Sequence, residues 1–115
     1  MAQAMDRCRI TVDTDGLEVC VMPGPCGSAE VTLCGEVDLH NAADVREALV
    51  TALTTYRGAL TVDLCQVTFC DCAGLNALLA ARNAADRAHR SLRVTIASRT
   101  VDRLFELTGT RSCLT

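Results

Sequence analysis

The chain has 115 residues, half of them apolar, with 11 Lys plus Arg against 14 Asp plus Glu for a formal charge of −3. That length suits one domain of roughly 100–150 residues, so a single domain over residues 1–115 is expected. No stretch approaches the roughly 18 uninterrupted apolar residues of a membrane-spanning helix, and scattered arginines with one Tyr, two Phe and no Trp disfavour nucleic acid, which wants a basic face and stacking platforms.

The start of the chain carries Asp6 and Arg7 where an export signal would be apolar, which makes the cytoplasm the expected location. Cys8–Val12 and Leu17–Val21 alternate as strands around Thr14-Asp15-Gly16, and Asp-Gly between alternating runs is a strong hairpin signal. The Pro23–Ser28 segment, with two Pro and two Gly, predicts a flexible loop.

From Glu30 the apolar period switches back and forth between two and about 3.6. Val31, Leu33 and Gly35 mark a strand, followed by a helix with Val45, Ala48, Leu49, Ala52 and Leu53. Leu60, Val62 and Leu64 mark the next strand, with Leu75, Leu78 and Leu79 on the helix after it. Leu92, Val94 and Ile96 mark the last strand, before a helix carrying Val101, Leu104, Phe105 and Leu107. Successive strand–helix units imply parallel pairing, and alternation within the strands implies that one sheet face is covered and the other open. The expected class is α/β, a mixed and mostly parallel sheet with helices mainly on one face and an antiparallel edge from the hairpin.

Helix boundaries follow from caps worth about 1 kcal/mol each. Asn41 is positioned to cap the first helix, Asp71 the second and Ser98 the third, with Gly109 as the stop of the third. His89, at the end of the second helix, reads as a complement to its negative pole.

Eight cysteines, at positions 8, 20, 26, 34, 65, 70, 72 and 113, raise metal and disulfide readings. The closest group, Cys65-x4-Cys70-x-Cys72, lacks paired C-x2-C spacing and has no nearby His, so no metal is expected. Without an export signal a disulfide framework is not expected either, and most of the thiols read as small apolar core side chains.

In sheets with parallel strands, sites gather beyond the carboxyl ends of the strands, where helix N-termini present unpaired amides. Two loops share that end: Asp38-Leu39-His40-Asn41, and the run from Phe69 to Gly74. Together they offer Asp38, His40, Asn41, Asp71 and Cys72 as the polar constellation, with partner contact also expected at Ala73, Gly74 and Asn76. A catalytic pairing of Cys72 with His40, oriented by Asp38, lacks a cofactor loop or a substrate-pocket signature. No enzymatic activity and no cofactor are expected.

These same residues carry a family resemblance. Val31-Thr-Leu-Cys-Gly-Glu-Val-Asp resembles the L-x-G-E-L/V-D segment of STAS domains, and Leu64-Cys-Gln-Val-Thr-Phe-Cys-Asp-Cys-Ala-Gly-Leu resembles their D-L-S-x-V-x-F-I-D-S-S-G-L segment. Val101-Asp-Arg-Leu-Phe-Glu-Leu-Thr-Gly is similar to the segment that closes the bacterial anti-sigma factor antagonists. The resemblance implies the STAS fold and a protein that regulates transcription by partner switching. Such a protein binds an anti-sigma factor that is also a serine protein kinase, releases the sigma factor, and is turned off by phosphorylation at the start of the second helix. The family's acceptor Ser falls on Cys72 and the Ser after it on Ala73, so the hydroxyl of that switch is missing. Control through another residue such as Thr68, a thiol-based redox sensor at Cys72, and a non-phosphorylatable scaffold subunit are the alternatives this leaves open.

Overall fold

The computed structural model describes residues 10–14 and 16–114. Strand β1 (Ile10–Thr14) turns into β2 (Leu17–Pro23), with Thr14 opposite Leu17, so the expected hairpin forms; Cys8 and Asp15 lie outside the described residues. β3 (Ala29–Val37), β4 (Leu60–Cys70) and β5 (Leu92–Ala97) complete one sheet whose spatial order follows the chain. The first two pairings are antiparallel and the last two parallel. Helices α1 (Ala42–Thr55) and α2 (Cys72–Arg87) make the two crossovers that parallel pairing demands. After β5 come α3 (Arg99–Thr108) and a single turn, α4 (Arg111–Leu114).

Alternation puts one valine from each of four strands into a single row. Val21 pairs with Val31, Val31 with Val62 and Val62 with Val94, and all four are buried. Val45 and Leu49 of α1, Leu75 and Leu78 of α2, Val101 and Phe105 of α3 and Leu114 of α4 join this face in one contiguous core. The opposite face carries Glu18, Thr32, Cys34, Asp63, Cys65, Gln66 and Arg93, all half-buried or exposed. Among the described residues the sheet is therefore covered on one side only.

β4 runs eleven residues, well past the Leu64 at which its alternation fails in the sequence. Its buried residues are Leu60, Val62, Leu64, Val67 and Cys70, so the step of two becomes a step of three, twice. At each change the register against β3 slips by one residue, between Thr32 and Cys34 and again between Gly35 and Glu36. A bulge sets two residues against one, and each bulge restores the core face for the next apolar residue. A third irregularity, where β5 advances two residues against one of β4, turns Ile96 outward, 51% exposed instead of in the core.

Other expectations are corrected. Pro23–Ser28 is no flexible loop: Pro25–Gly27 is a 3-10 turn, the Ser28 hydroxyl donates to the Pro25 carbonyl at 2.7 Å, and the Gly58 amide donates to the Gly27 carbonyl at 2.9 Å. The thiols are not core filler: among the described residues Cys70 is buried, Cys34 is half-buried, and Cys26, Cys65, Cys72 and Cys113 are exposed. Cys20 is disulfide-bonded, so the chain does hold a disulfide. His89 takes a left-handed backbone, φ 57°, one residue past the Ala88 C-cap of α2, where the amides of His89 and Arg90 donate to the carbonyls of Asp86 and Ala85. It ends the helix through its backbone.

Arg90, which no periodicity singles out, ties the far end of the molecule together. Its guanidinium donates to the carbonyls of Leu53 at 2.7 Å, Tyr56 and Gly58 at 2.9 Å. The first two belong to the last turn of α1 and its cap, where carbonyls lack intrahelical partners.

On α3, Phe105 is fully buried while Leu107, expected beside it in the core, is 78% exposed. The two lie two positions apart, about 200° around a helix. Phe105→Ala should cost about 3–5 kcal/mol, and Leu107→Ala should stay within about 0.5 kcal/mol, as read by urea unfolding.

Candidate functional site

The site begins where β3 ends. After Val37 the chain turns through Asp38-Leu39-His40, and the turn is closed by its own side chains: the Asp38 carboxylate accepts from the His40 amide at 2.9 Å, and the Asp38 carbonyl accepts from the amides of Asn41 and Ala42 at 3.2 and 2.9 Å. Asn41 takes the N-cap position of α1 but makes no side-chain cap. Its Oδ1 instead accepts from the Asp38 amide at 3.0 Å, and its Nδ2 donates to the Glu36 carbonyl at 2.8 Å. It is the one fully buried polar residue among the described residues. Both expectations for Asn41 are thereby corrected: it caps nothing with its side chain and presents nothing to a partner, because its amide is spent on holding the loop.

The second loop is bolted to the first. The Asp71 amide donates to the Val37 carbonyl at 3.2 Å. Asp71 caps α2 as its sequence position predicts, accepting from the Gly74 amide at 3.0 Å. Gly74 lies directly against β3: a Cβ there would come within 2.7 Å of Val37 Cγ1, 2.9 Å of Cys70 Sγ and 3.1 Å of the Val37 carbonyl oxygen. Only glycine lets the first turn of α2 sit this close to the end of β3. Gly74 is buried, so its part is to set that spacing and not to touch a partner. Gly35, in the run that precedes the first loop, meets a similar demand: its φ is 116° and a side chain would run into the Gly16 carbonyl.

The first turns of α1 and α2 consequently lie side by side, and Ala42, Ala43, Ala73, Asn76 and Ala77 line a shallow groove between them. Around it Cys72 and Asn76 are exposed, while Asp38, Asp71 and Ala73 are half-buried. The His40 side chain is 78% exposed, its Nδ1 lying 3.7 Å from Asp38 Oδ1. The imidazole therefore lies over the Asp38 carboxylate, which accepts from the His40 backbone amide, and it is not brought into hydrogen-bond contact with Cys72. Cys70 lies beneath, its thiol pushed up to about 12 by burial, with smaller contributions from Asp71 and Cys72. It stays protonated and acts as packing against Gly74.

Two residues were missed in the sequence. Leu39 is 75% exposed at the tip of the first loop, and Phe69 is 46% exposed at the end of β4, opposite Glu36. A large apolar side chain between Asp38 and His40, in a turn, was a readable signal for Leu39. Phe69 carried none, because its outward direction is set by the second bulge. Exposed apolar groups that rim a polar loop are a mark of a protein contact. Among the described residues, no group of three His, Cys, Asp or Glu converges as a metal site would require.

A family model described as Mlab, STAS domain matches residues 26–114. No curated protein matches the chain in sequence. Among solved structures, an anti-sigma factor antagonist from Mycobacterium paratuberculosis is similar, with 22% identity and a TM-score of 0.75 over 90% of this chain and 87% of that one. The anti-sigma factor antagonist SpoIIAA in its unphosphorylated form is similar at 17% identity, with a TM-score of 0.70 over 84% and 85% of the two chains. SpoIIAA, a Bacillus cell fate determinant, in its phosphorylated form follows at 16% identity, with a TM-score of 0.65 over 84% and 88%. At these identities the likeness is one of fold. The family match, by contrast, is one of sequence, and it runs from the 3-10 turn through the site loops to α4: the chain belongs to the STAS domain family.

Proposed function

We propose that this protein is an anti-sigma factor antagonist, a non-catalytic regulator that docks on a serine-kinase-type anti-sigma factor and so frees its sigma factor. The observation that carries the reading is the joining of the two strand-end loops by Gly74 and Val37, with Leu39 exposed in the first loop and Phe69 exposed three residues ahead of the start of α2. A docking face needs desolvated apolar anchors with a polar surround, and Leu39 and Phe69 supply the anchors while His40, Cys72 and Asn76 supply the surround. The solved structures of similar fold include anti-sigma factor antagonists.

Cys72 is the first residue of α2 and is exposed, at the position where the family resemblance places the phosphoacceptor. Phosphate on that residue would gain from the amides and dipole of a helix N-terminus, yet a thiol is not the alcohol such a kinase modifies. The antagonist is therefore always competent to bind, unless control passes through another hydroxyl. Thr68 is the candidate, exposed on β4 with its Oγ1 donating to the Gly35 carbonyl at 3.3 Å. Incubated with the cognate kinase and ATP, the wild-type protein should carry no phosphate at residue 72 by mass spectrometry, and Cys72→Ser should gain it. Stoichiometric phosphate on wild-type Cys72 overturns the reading of the switch.

The docking face has its own tests. Leu39→Asp and Phe69→Asp should each weaken binding of the anti-sigma factor at least about tenfold, or about 1.4 kcal/mol, in titration calorimetry. Thermal stability should change little for Leu39→Asp, whose side chain is mostly in solvent, and somewhat more for Phe69→Asp, whose ring is about half covered. Full-strength binding by both variants would move the interface elsewhere. Asn41→Asp keeps the shape but removes the donor to Glu36, leaving a buried carboxylate facing a carbonyl. It should cost about 1–3 kcal/mol of stability and, by loosening the loop, reduce binding along with it.

A further inference from the structure

The open face of the sheet, a few residues before the strand ends that carry the docking loops, holds two thiols at one bulge. Thr32 pairs with Asp63, and continuing that register would set Cys34 opposite Cys65; the bulge then slips the pairing so that Cys34 meets Gln66. Two residues of β4, Cys65 and Gln66, thus oppose Cys34. Both are exposed on the open side, where Cys34 also points, with its thiol donating to Gln66 Oε1 at 3.3 Å. With strands about 4.8 Å apart and Cys65 one residue of about 3.3 Å along from the partner of Cys34, the two Cα atoms come to about 5.8 Å, inside the roughly 4.4–6.8 Å that a disulfide spans.

We propose that Cys34 and Cys65 form a redox-active dithiol that closes to a cross-strand disulfide by exchange with low-molecular-weight disulfides. In the first step the thiolate of one cysteine attacks a sulfur of the small disulfide, whose S–S bond breaks and releases one small thiol. The second cysteine, after losing its proton, attacks the resulting mixed disulfide at the protein sulfur. A second small thiol leaves. The protein dithiol is oxidised by two electrons, the small disulfide is reduced to two thiols, and the two protons end on those thiols.

The surroundings set when this happens. Asp63 accepts a hydrogen bond from the Cys65 thiol and raises it, with desolvation, the Asp63 charge and Cys34 adding in the same direction. Cys34 is raised by desolvation first, then by Glu18 and Asp63. The charged groups near the pair are thus Glu18 from β2 and Asp63 from β4. On β5, Ile96 pairs with Asp63, and Arg93 pairs with Thr61, further back along the strand. With both thiols raised, the thiolate fraction is small at neutral pH and grows as pH rises through their titration, so closure quickens in that direction. Closing the bond staples β3 to β4 a few residues before the ends that carry the docking loops.

The full-length protein, treated with oxidised glutathione at about pH 8.5, near the ordinary thiol pKa, and quenched with acid, is mapped by proteolysis and fragmentation mass spectrometry. The expected product joins Cys34 to Cys65 and lacks glutathione on either; repeated nearer neutrality, it should form more slowly. Cys34→Ser and Cys65→Ser should each lose the link and retain glutathione on the remaining partner, while circular dichroism matches the wild type. Separate glutathione adducts on Cys34 and Cys65 of the wild-type protein would overturn the proposal. So would a link from Cys34 to Cys20, which forms only if exchange displaces the disulfide that Cys20 already makes.

Discussion

A side chain that is not there sets the geometry on which the rest depends. With no Cβ at Gly74, the first turn of α2 seats against Val37 and Cys70, and the Asp71 amide can reach the Val37 carbonyl. That one close approach fixes the distance between two loops that are more than thirty residues apart in the chain. The start of α2, which the proposed docking face includes, takes its position from it. The buried Asn41 does the complementary work within the first loop, trading a capping bond for two bonds that close the turn.

The second constraint is arithmetic. β4 has to pair with β3 along its length, keep an apolar side chain on the core face at every opportunity, and deliver Asp71 to the start of a helix. Strict alternation would have turned Val67 or Cys70 outward, and the two extra residues correct the phase each time. The correction has a by-product. Residues at a bulge share a side of the sheet, and this is how Cys65, Gln66 and Phe69 come to lie exposed on the open side. The outward thiol and the outward aromatic ring have the same origin as the continuous core.

Much of this was legible from residue order. The valine row follows from alternation, the crossovers from the change of period, and the Asp71 and Ser98 caps and the Gly109 stop from their chemistry, each present in the structure. The meeting of the two loops followed from the topology. What escaped did so for specific reasons. Bulges depend on the partner strand and leave no local mark, so Ile96 and Phe69 were not seen to face solvent. Cysteine is as compatible with an open sheet face as with a core, so its type did not tell where it sits. Asn41 has two competing uses for its amide, and only the tertiary positions of Asp38 and Glu36 decide between them. Arg90 acts across more than thirty residues on backbone carbonyls, which carry no sequence identity to recognise.

That arginine has a wider meaning. With Asn41 fastening the approach to α1 and Arg90 gripping its exit, the helix is clamped fore and aft, and its beginning cannot slide, rotate or lengthen without tearing bonds at the other extremity. On the proposed function, a helix held at both ends would present its start as a fixed surface, on which a modification is read as an added charge or a lost group.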